Sequence, residues 1–440
     1  MMENLVAESS WRRISDRVLS ASRAEHTLVR LSDGRSSTLR FANNQAVQNV
    51  AVRGMTLTVE AAFGKRVGRA QTNRLDEASL RATVRQAEDI ARHAPEDPEY
   101  LPPLPPQRYD SMSGFAQATA DARPLGLAEA AKPVVERCAQ QGLIGAGILS
   151  TDSAVRGVAA SSGLFAWEPS TEARFSLTAS GEDSSGWTLA AHRDLGALRI
   201  AERGDQAIAK AISSRSPREL AAGHYRVILE PAAVAGIVGP MLWSLNAKRF
   251  YKGNSPFVGK LGSQILDAEL TVRTEPAHAS LLGSSFAEDG LRTHPVTWVE
   301  RGVLRRLHYD RFTASERGVE PTPPPRDAVM EFAGSHSDGV EGLIAGAERA
   351  ILITNFWYIR SVDASDLTLT GMTRDGTFLV ENGQIVCGVR NFRFHDSPLR
   401  CLLSVEAATG PMESVTMERG KMLLPALRLP DFYLSSVTEF

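Results

Sequence analysis

The sequence predicts an α+β protein: two smaller α/β domains, each a strand meander plus a helix, followed by a large strand-rich C-terminal domain. Three observations predict it. Short alternating runs cut by turn signals fill residues 26–72 and return between residues 142 and 195. A helical stripe of apolar residues follows each set of runs. From residue 223 onward, strand-like runs such as YRVILEP, VTWVERGVLRRLHY, RAILITNFWYIRSV and KMLLPALRLPDFYLSSV dominate.

In chain order, residues 10–23 read as a short amphipathic helix. HTLVRL, STLRFA and TLTVEAAF, separated by DG, NN and RG, read as the first meander. Asp76 can cap the next helix, in which Leu80, Val84, Ala87 and Ala91 share one stripe. The segment APEDPEYLPPLPPQRY holds six prolines in sixteen residues, which makes it a stiff linker. A helix over 126–141 follows, then strands from GLIGAGILS to SGWTLAAHRDL, then a helix with Ile200, Ile208 and Ile212 on one side. PTPPPRD, 321–327, is a proline loop. The expected division is 1–95 for the N-terminal domain, 96–110 for the linker, 111–220 for the central domain and 221–440 for the C-terminal domain.

Composition narrows the function. At 440 residues, 43% hydrophobic and 23% charged, the chain has ample core. A net charge of −2 argues against a dedicated nucleic-acid binder. No apolar leader opens the sequence and no run approaches a membrane span, so the expected protein is soluble and cytoplasmic, with no membrane partner. Cys138, Cys387 and Cys401 show no C-x-x-C spacing and fit reduced thiols.

Motifs for metal or nucleophilic chemistry are weak. None of the nine histidines lies three to five residues from another, so no helical imidazole pair exists. His192, His308, His336 and His395 each have an aspartate close by, which could orient an imidazole but fits ordinary surface or core histidines better. Ser335, His336, Ser337 and Asp338 look like a triad in GSHSDG, but sequence neighbours point apart and a Gly/Asp/Ser turn explains them better. Two basic clusters carry interleaved aromatics. NAKRFYKGNSPFVGK supplies Lys248, Arg249, Tyr251, Lys252 and Ser255 as candidate peptide or partner contacts. RNFRFHDSPLR supplies Arg390, Asn391, Arg393 and His395, and its alternation suits a strand edge that could pair with an extended peptide.

The stretch AAVAGIVGPMLWSL, after the strand HYRVILEP, reads as an apolar helix with no chemistry on it. Pro240 removes an amide donor and disfavours helical geometry at Gly239, which predicts a kink or break there. ANNQAVQNVAVRGMTLTVEAAFGKRVGRAQTN, VILEPAAVAGIVGPMLWSL, GNSPFVGKLGSQILDAELTV, EDGLRTHPVTWVERGVL and LTGMTRDGTFLVENGQIVCGVRNFRFHDSPL follow one another in this order, and over about residues 26–438 the chain resembles the TldD/PmbA family.

The resemblance implies cytosolic zinc metalloproteases and their partners, working as dimers around a peptide-binding cavity. Catalytic, TldD-like members carry H-E-x-x-x-H on the helix after the strand matching VILEP. Here those three positions are Gly239, Pro240 and Ser244. The family's cysteine ligand falls in a neighbourhood that reads VEAATGPMESV, and neither Cys387 nor Cys401 matches it. The chain thus resembles the TldE/PmbA-type partner, with no catalytic residue and no metal of its own, zinc being expected in a TldD-like catalytic subunit. Two alternatives stay open: an active metallopeptidase or hydrolase with a non-standard metal or Ser/His site, built from His336, His395 or the other aspartate-flanked histidines His192 and His308, and a stand-alone homodimeric peptide-binding module. The charge balance gives no support to a role in DNA topology.

Overall fold

The computed structural model describes residues 5–112, 114–416 and 420–438, so the first four residues of the 1–95 segment lie outside it. Helix α1 (Glu8–Ala21) buries Trp11 and Val18. Strands β1 (His26–Ala42), β2 (Gln45–Phe63) and β3 (Arg66–Thr72) form the first antiparallel meander. Asn43 and Asn44, both left-handed at φ 51° and 59°, make the turn into β2, a conformation asparagine tolerates. Helix α2 (Glu77–His93) begins where Asp76 accepts the Ser79 amide at 3.0 Å, and it buries Leu80, Val84, Ala87 and Ala91.

Past the linker come α3 (Gln117–Ala120), α4 (Pro124–Gln140), β4 (Ile144–Ala160), β5 (Phe165–Ser180), β6 (Ser185–His192) and α5 (Ile200–Ser213). The buried side of α5 is Gly204, Ala207, Ile208 and Ala211, whereas Ile212, expected on that stripe, faces outward. The cause is close approach: a Cβ on Gly186 of β6 would lie 2.1 Å from the Ala207 carbonyl. The helix therefore meets the sheet through its small residues. Strand β1 pairs with β2 on one side and with β4 on the other, so the strands before and after the linker form one antiparallel sheet, ordered β3-β2-β1-β4-β5-β6.

The proline-rich segment has no helix or strand over residues 97–112. It is nonetheless tied down. Glu99 pairs with Lys248, the Tyr109 hydroxyl donates to the Gly290 carbonyl at 2.7 Å, and Asp110 pairs with Arg292 at 3.1 Å. Each of these partners belongs to the C-terminal segment.

That segment holds β7 (Gly223–Leu229), α6 (Pro231–Trp243), α7 (Ala247–Tyr251), β8 (Leu270–Thr274), β9 (Val296–Glu300), β10 (Val303–Leu304), α8 (Arg311–Arg317), β11 (Ala328–Phe332) and α9 (Gly339–Ala345). It continues with β12 (Arg349–Asp363), β13 (Thr368–Glu381), β14 (Gln384–Gly388), β15 (Phe392–Asp396), α10 (Pro398–Cys401), β16 (Ala407–Ala408), β17 (Met412–Thr416), β18 (Gly420–Leu424) and β19 (Leu427–Val437). One sheet runs β10-β9-β8-β11-β18-β17. The other runs β12-β7-β19-β15-β13-β14, and β12 also pairs with β13, which closes it into a ring of strands. Phe356, Phe394 and Phe432 meet with ring centroids 4.6–5.6 Å apart. Helix α6 follows β7, packs against β7's parallel neighbour β12 and shares one continuous apolar core with both sheets. A helix apolar all round belongs inside a core.

Candidate functional site

Helix α6 lies where a strand hands the chain to a helix at the centre of the C-terminal domain. Its start is fixed by Pro231 at the first helical position and by Glu230, whose carboxylate pairs with Lys210 at 2.6 Å. The expected break at Gly239-Pro240 does not occur: the helix runs unbroken to Trp243. Burial of Val234, Ile237, Val238, Met241 and Leu242 outweighs one missing hydrogen bond, and the residue four before the proline is Gly236. Ser244 follows as the C-cap, its hydroxyl donating to the Pro240 carbonyl at 2.9 Å.

One strip of α6 is only half covered: Ala232, Gly236, Pro240 and Ser244, spaced one turn apart. The outer half of the β12–β13 hairpin borders it. A Cβ on Gly236 would come within 2.9 Å of Ile359, so glycine lets hairpin and helix close together. That hairpin end exposes Trp357 (44%), Tyr358 (60%, at φ 57°) and Val362 (53%), with Arg374 and Arg360 stacked on the two aromatic rings. Sequence reasoning missed this surface. Its signal was the run FWY, three consecutive aromatics that strand alternation cannot bury on one side.

The segment VEAATGPMESV also comes to α6. Ser414 donates its hydroxyl to the Pro231 carbonyl at 2.8 Å from a buried position. Helix α6 and the VEAATGPMESV segment are thus neighbours in space.

The basic clusters are less free than their sequence suggested. Asn246 caps the short helix α7 by accepting the Arg249 amide at 2.9 Å, and Arg249 and Lys252 face outward. Lys248 is held by Glu99, whose hydrogen bond raises the ammonium pKa. The Tyr251 hydroxyl meets that of Tyr309 at 2.9 Å, with Arg317 over its ring. Ser255 is buried and accepts the Phe257 amide at 3.2 Å, which folds the loop back on itself. In the second cluster the expected strand edge is absent. β15 pairs with β13 on one side and β19 on the other, so no extended peptide can add to it. Arg390, Arg393 and His395 point outward, whereas the Asn391 amide oxygen accepts from Thr373 and Thr377 at 3.2 and 3.1 Å.

The aspartate-flanked histidines are scattered. His308 is packed against Thr322 at 3.2 Å and burial lowers its pKa. His192 accepts the Asp194 amide at 2.9 Å, and His336 sits in the turn between β11 and α9 with its ring edge-on to Phe332. A His–Asp pair that sequence spacing could not reveal is His224 with Asp431, 2.8 Å apart, continued through Arg400 to the buried Asp396.

Residues 222–436 match the PmbA/TldA metallopeptidase C-terminal domain, and residues 28–91 match the PmbA/TldA metallopeptidase domain 1. The chain belongs to the PmbA/TldD family. Its fold is similar to that of TldE from Thermococcus kodakarensis, with a TM-score of 0.87 at 18% identity over 97% of this chain and 100% of that one. It is likewise similar to a candidate modulator of DNA gyrase from Thermotoga maritima, with a TM-score of 0.85 at 18% identity over 96% and 99% of the two chains. A metalloprotease of Methanothermobacter thermautotrophicus is 25% identical over 209 residues, 46% of this chain. The alignment spans 42% of that relative's length.

For a PmbA/TldD member the question is whether the residues present could hold zinc. They do not fit. Zinc takes thiolate, imidazole or carboxylate donors, whereas α6 offers Gly239, Pro240 and Ser244, and the carboxylate of Glu413, next to Ser414, is paired with Lys421 at 2.9 Å and Arg203 at 3.8 Å. Among the described residues no group of three or more His, Cys, Asp or Glu side chains is placed to hold a metal ion. Two of the three thiols are buried and poorly ionisable: burial pushes Cys138 up to about 11 and Cys401 well above the usual thiol range. Among the described residues no helix is long and apolar enough to cross a membrane.

Proposed function

We propose that this chain is the non-catalytic, TldE-like member of a two-chain peptidase, and that it shapes a peptide chamber with a TldD-like subunit carrying the zinc. The observation that carries this reading is helix α6, with Pro240 and Ser244 on its half-covered strip and Gly239 buried beside them. A helix of intact geometry presents glycine, proline and serine at the positions that the family resemblance assigns to His, Glu and His. The scaffold is retained while the donors are not. Next to that strip, Trp357, Tyr358 and Val362 offer an apolar surface of the kind that partner subunits and peptide side chains cover. Arg249, Lys252, Arg390, Arg393 and His395 are the outward-facing candidates for substrate carboxylates, and the assembly would work in the cytoplasm.

The test is metal quantification and peptide hydrolysis on the purified chain, alone and mixed with a TldD-like protein. The reading expects less than stoichiometric zinc and no hydrolysis from the chain alone, and both from the mixture in one co-eluting species. Stoichiometric zinc with hydrolysis by the chain alone would overturn it. A homodimer that binds peptide and ignores every TldD-like protein would favour a stand-alone binding module instead.

A further inference from the structure

Strand β2 outruns the neighbour on its outer side. β1 lies alongside it from Gln45 to Ala62, whereas β3 pairs with it only from Leu57 to Phe63. Among the described residues no other strand pairs with β2, so residues 48–56 are a free edge of the first sheet. At the far end the ladder slips between Arg40 and Phe41 of β1, which leaves Val47 as the extra residue of a bulge. Along the edge every second residue turns its N–H and C=O away from β1. That backbone is within reach of another molecule. Gly54, which has only main chain to show, is exposed, and no atom lies within 4 Å of where its Cβ would stand.

Proteins ordinarily blunt such an edge with lysine, proline or a very short strand, because an open ladder invites pairing with another chain. Residues 48–56 hold no proline and no lysine, and their one charge, Arg53, is engaged by Asp33 at 3.3 Å. The face turned away from the helices carries Val50 and Val52 instead, opposite Thr38 and Ser36 of β1, and Val52 is 55% exposed. The pattern of side chains points to the occupant. Residues 48–54 set antiparallel against themselves, about a two-fold axis at Ala51, bring Val50 of each copy opposite Val52 of the other and Asn49 opposite Arg53. Cross-strand pairs of β-branched residues are favourable, and no like charges face each other. A second copy therefore offers matched side chains as well as main chain, whereas an arbitrary extended peptide offers main chain alone.

We infer that two copies of this chain join through this edge, β2 against β2, so that their first sheets become one antiparallel sheet across a two-fold axis. The edge belongs to the first sheet and the exposed hairpin beside α6 to the strand ring. The inference therefore holds or fails independently of the proposed peptidase partnership.

Sedimentation velocity on the full chain alone, across about a hundredfold range of concentration, tests it. The parent is expected to sediment as a dimer at the upper end of the range. Val50→Lys combined with Val52→Lys sets lysine opposite lysine at both pairs and is expected to weaken association at least about tenfold, leaving single chains. Val50→Lys combined with Val52→Glu sets lysine opposite glutamate in the same register and is expected to keep the dimer. Val47→Lys removes a valine that is 63% exposed but lies on the bulge, outside the paired strip, and should also leave the dimer intact. A parent chain that stays monomeric throughout overturns the inference. So does a dimer that the two-lysine variant leaves unchanged at a melting temperature matching the parent. A lysine–glutamate variant as monomeric as the two-lysine variant, again at the parent's melting temperature, overturns it too.

Discussion

Replacing Pro240 with alanine should make the protein more stable. Proline in a helix interior costs about 3 kcal/mol relative to alanine, through a lost hydrogen bond and a ring that presses on the carbonyl four residues back. Here that carbonyl belongs to Gly236, and the helix continues three residues past the proline. Alanine would restore an amide to donate to Gly236. Against this, the half-covered ring gives up roughly one methylene of burial, about 0.8 kcal/mol. The net expectation is a gain of about 2 kcal/mol, or about 4–8 °C in melting temperature for a domain of this size. Differential scanning calorimetry reads it directly. Pro231→Ala is the internal control: proline at the first helical position loses no hydrogen bond, so this change should be neutral or mildly destabilising. A Pro240→Ala chain that melts at or below the parent temperature would refute the reasoning, because the ring would then be making contacts worth more than the helical defect.

Trp11→Ala should cost about 3–5 kcal/mol, read by denaturant unfolding, because the indole is fully buried and donates to the Ala166 carbonyl at 3.1 Å. Its seat is shaped by Gly157, where a Cβ would fall 2.6 Å from the ring. Asp327→Asn should flatten the pH dependence of stability between about pH 4 and 6. Burial pushes the Asp327 carboxyl up to about 6, against the pull of Arg193 and Arg326. The folded chain therefore holds this proton more tightly than the unfolded chain. The contribution is fully present below pH 4, is lost as pH rises through 6, and disappears in the amide variant, which denaturant midpoints measured across that range would show.

Local chemistry made much of the fold legible. The Asp76 cap, the stripe from Leu80 to Ala91 and the Asn43-Asn44 turn depend on neighbours within a few residues, and each forms as its sequence suggests. What the sequence hid is non-local. β15 looked like an edge until β19 returned to cover it, and Lys248 looked like a free cation until Glu99, far away in the chain, was brought alongside. Pro240 misled for a related reason: a propensity rule for an isolated helix was overruled by a core that encloses α6. For the candidate site, the missing donors could be read from Gly239, Pro240 and Ser244. The apolar hairpin beside them could not, since exposure of Trp357 and Tyr358 depends on what packs around β12.

Closure of the strand ring has a consequence for biosynthesis. The ring is sealed by β19, the last strand among the described residues, which lies between β7 and β15. A ribosome that has just released α6 must still make some 190 residues before that strand emerges, on the order of ten to forty seconds at ordinary elongation rates. Throughout that interval one of the greasiest segments of the polypeptide has no finished shelter. Newborn chains stalled before residue 427 should consequently be clients for holdase chaperones, and release from such helpers should coincide with delivery of the final strand.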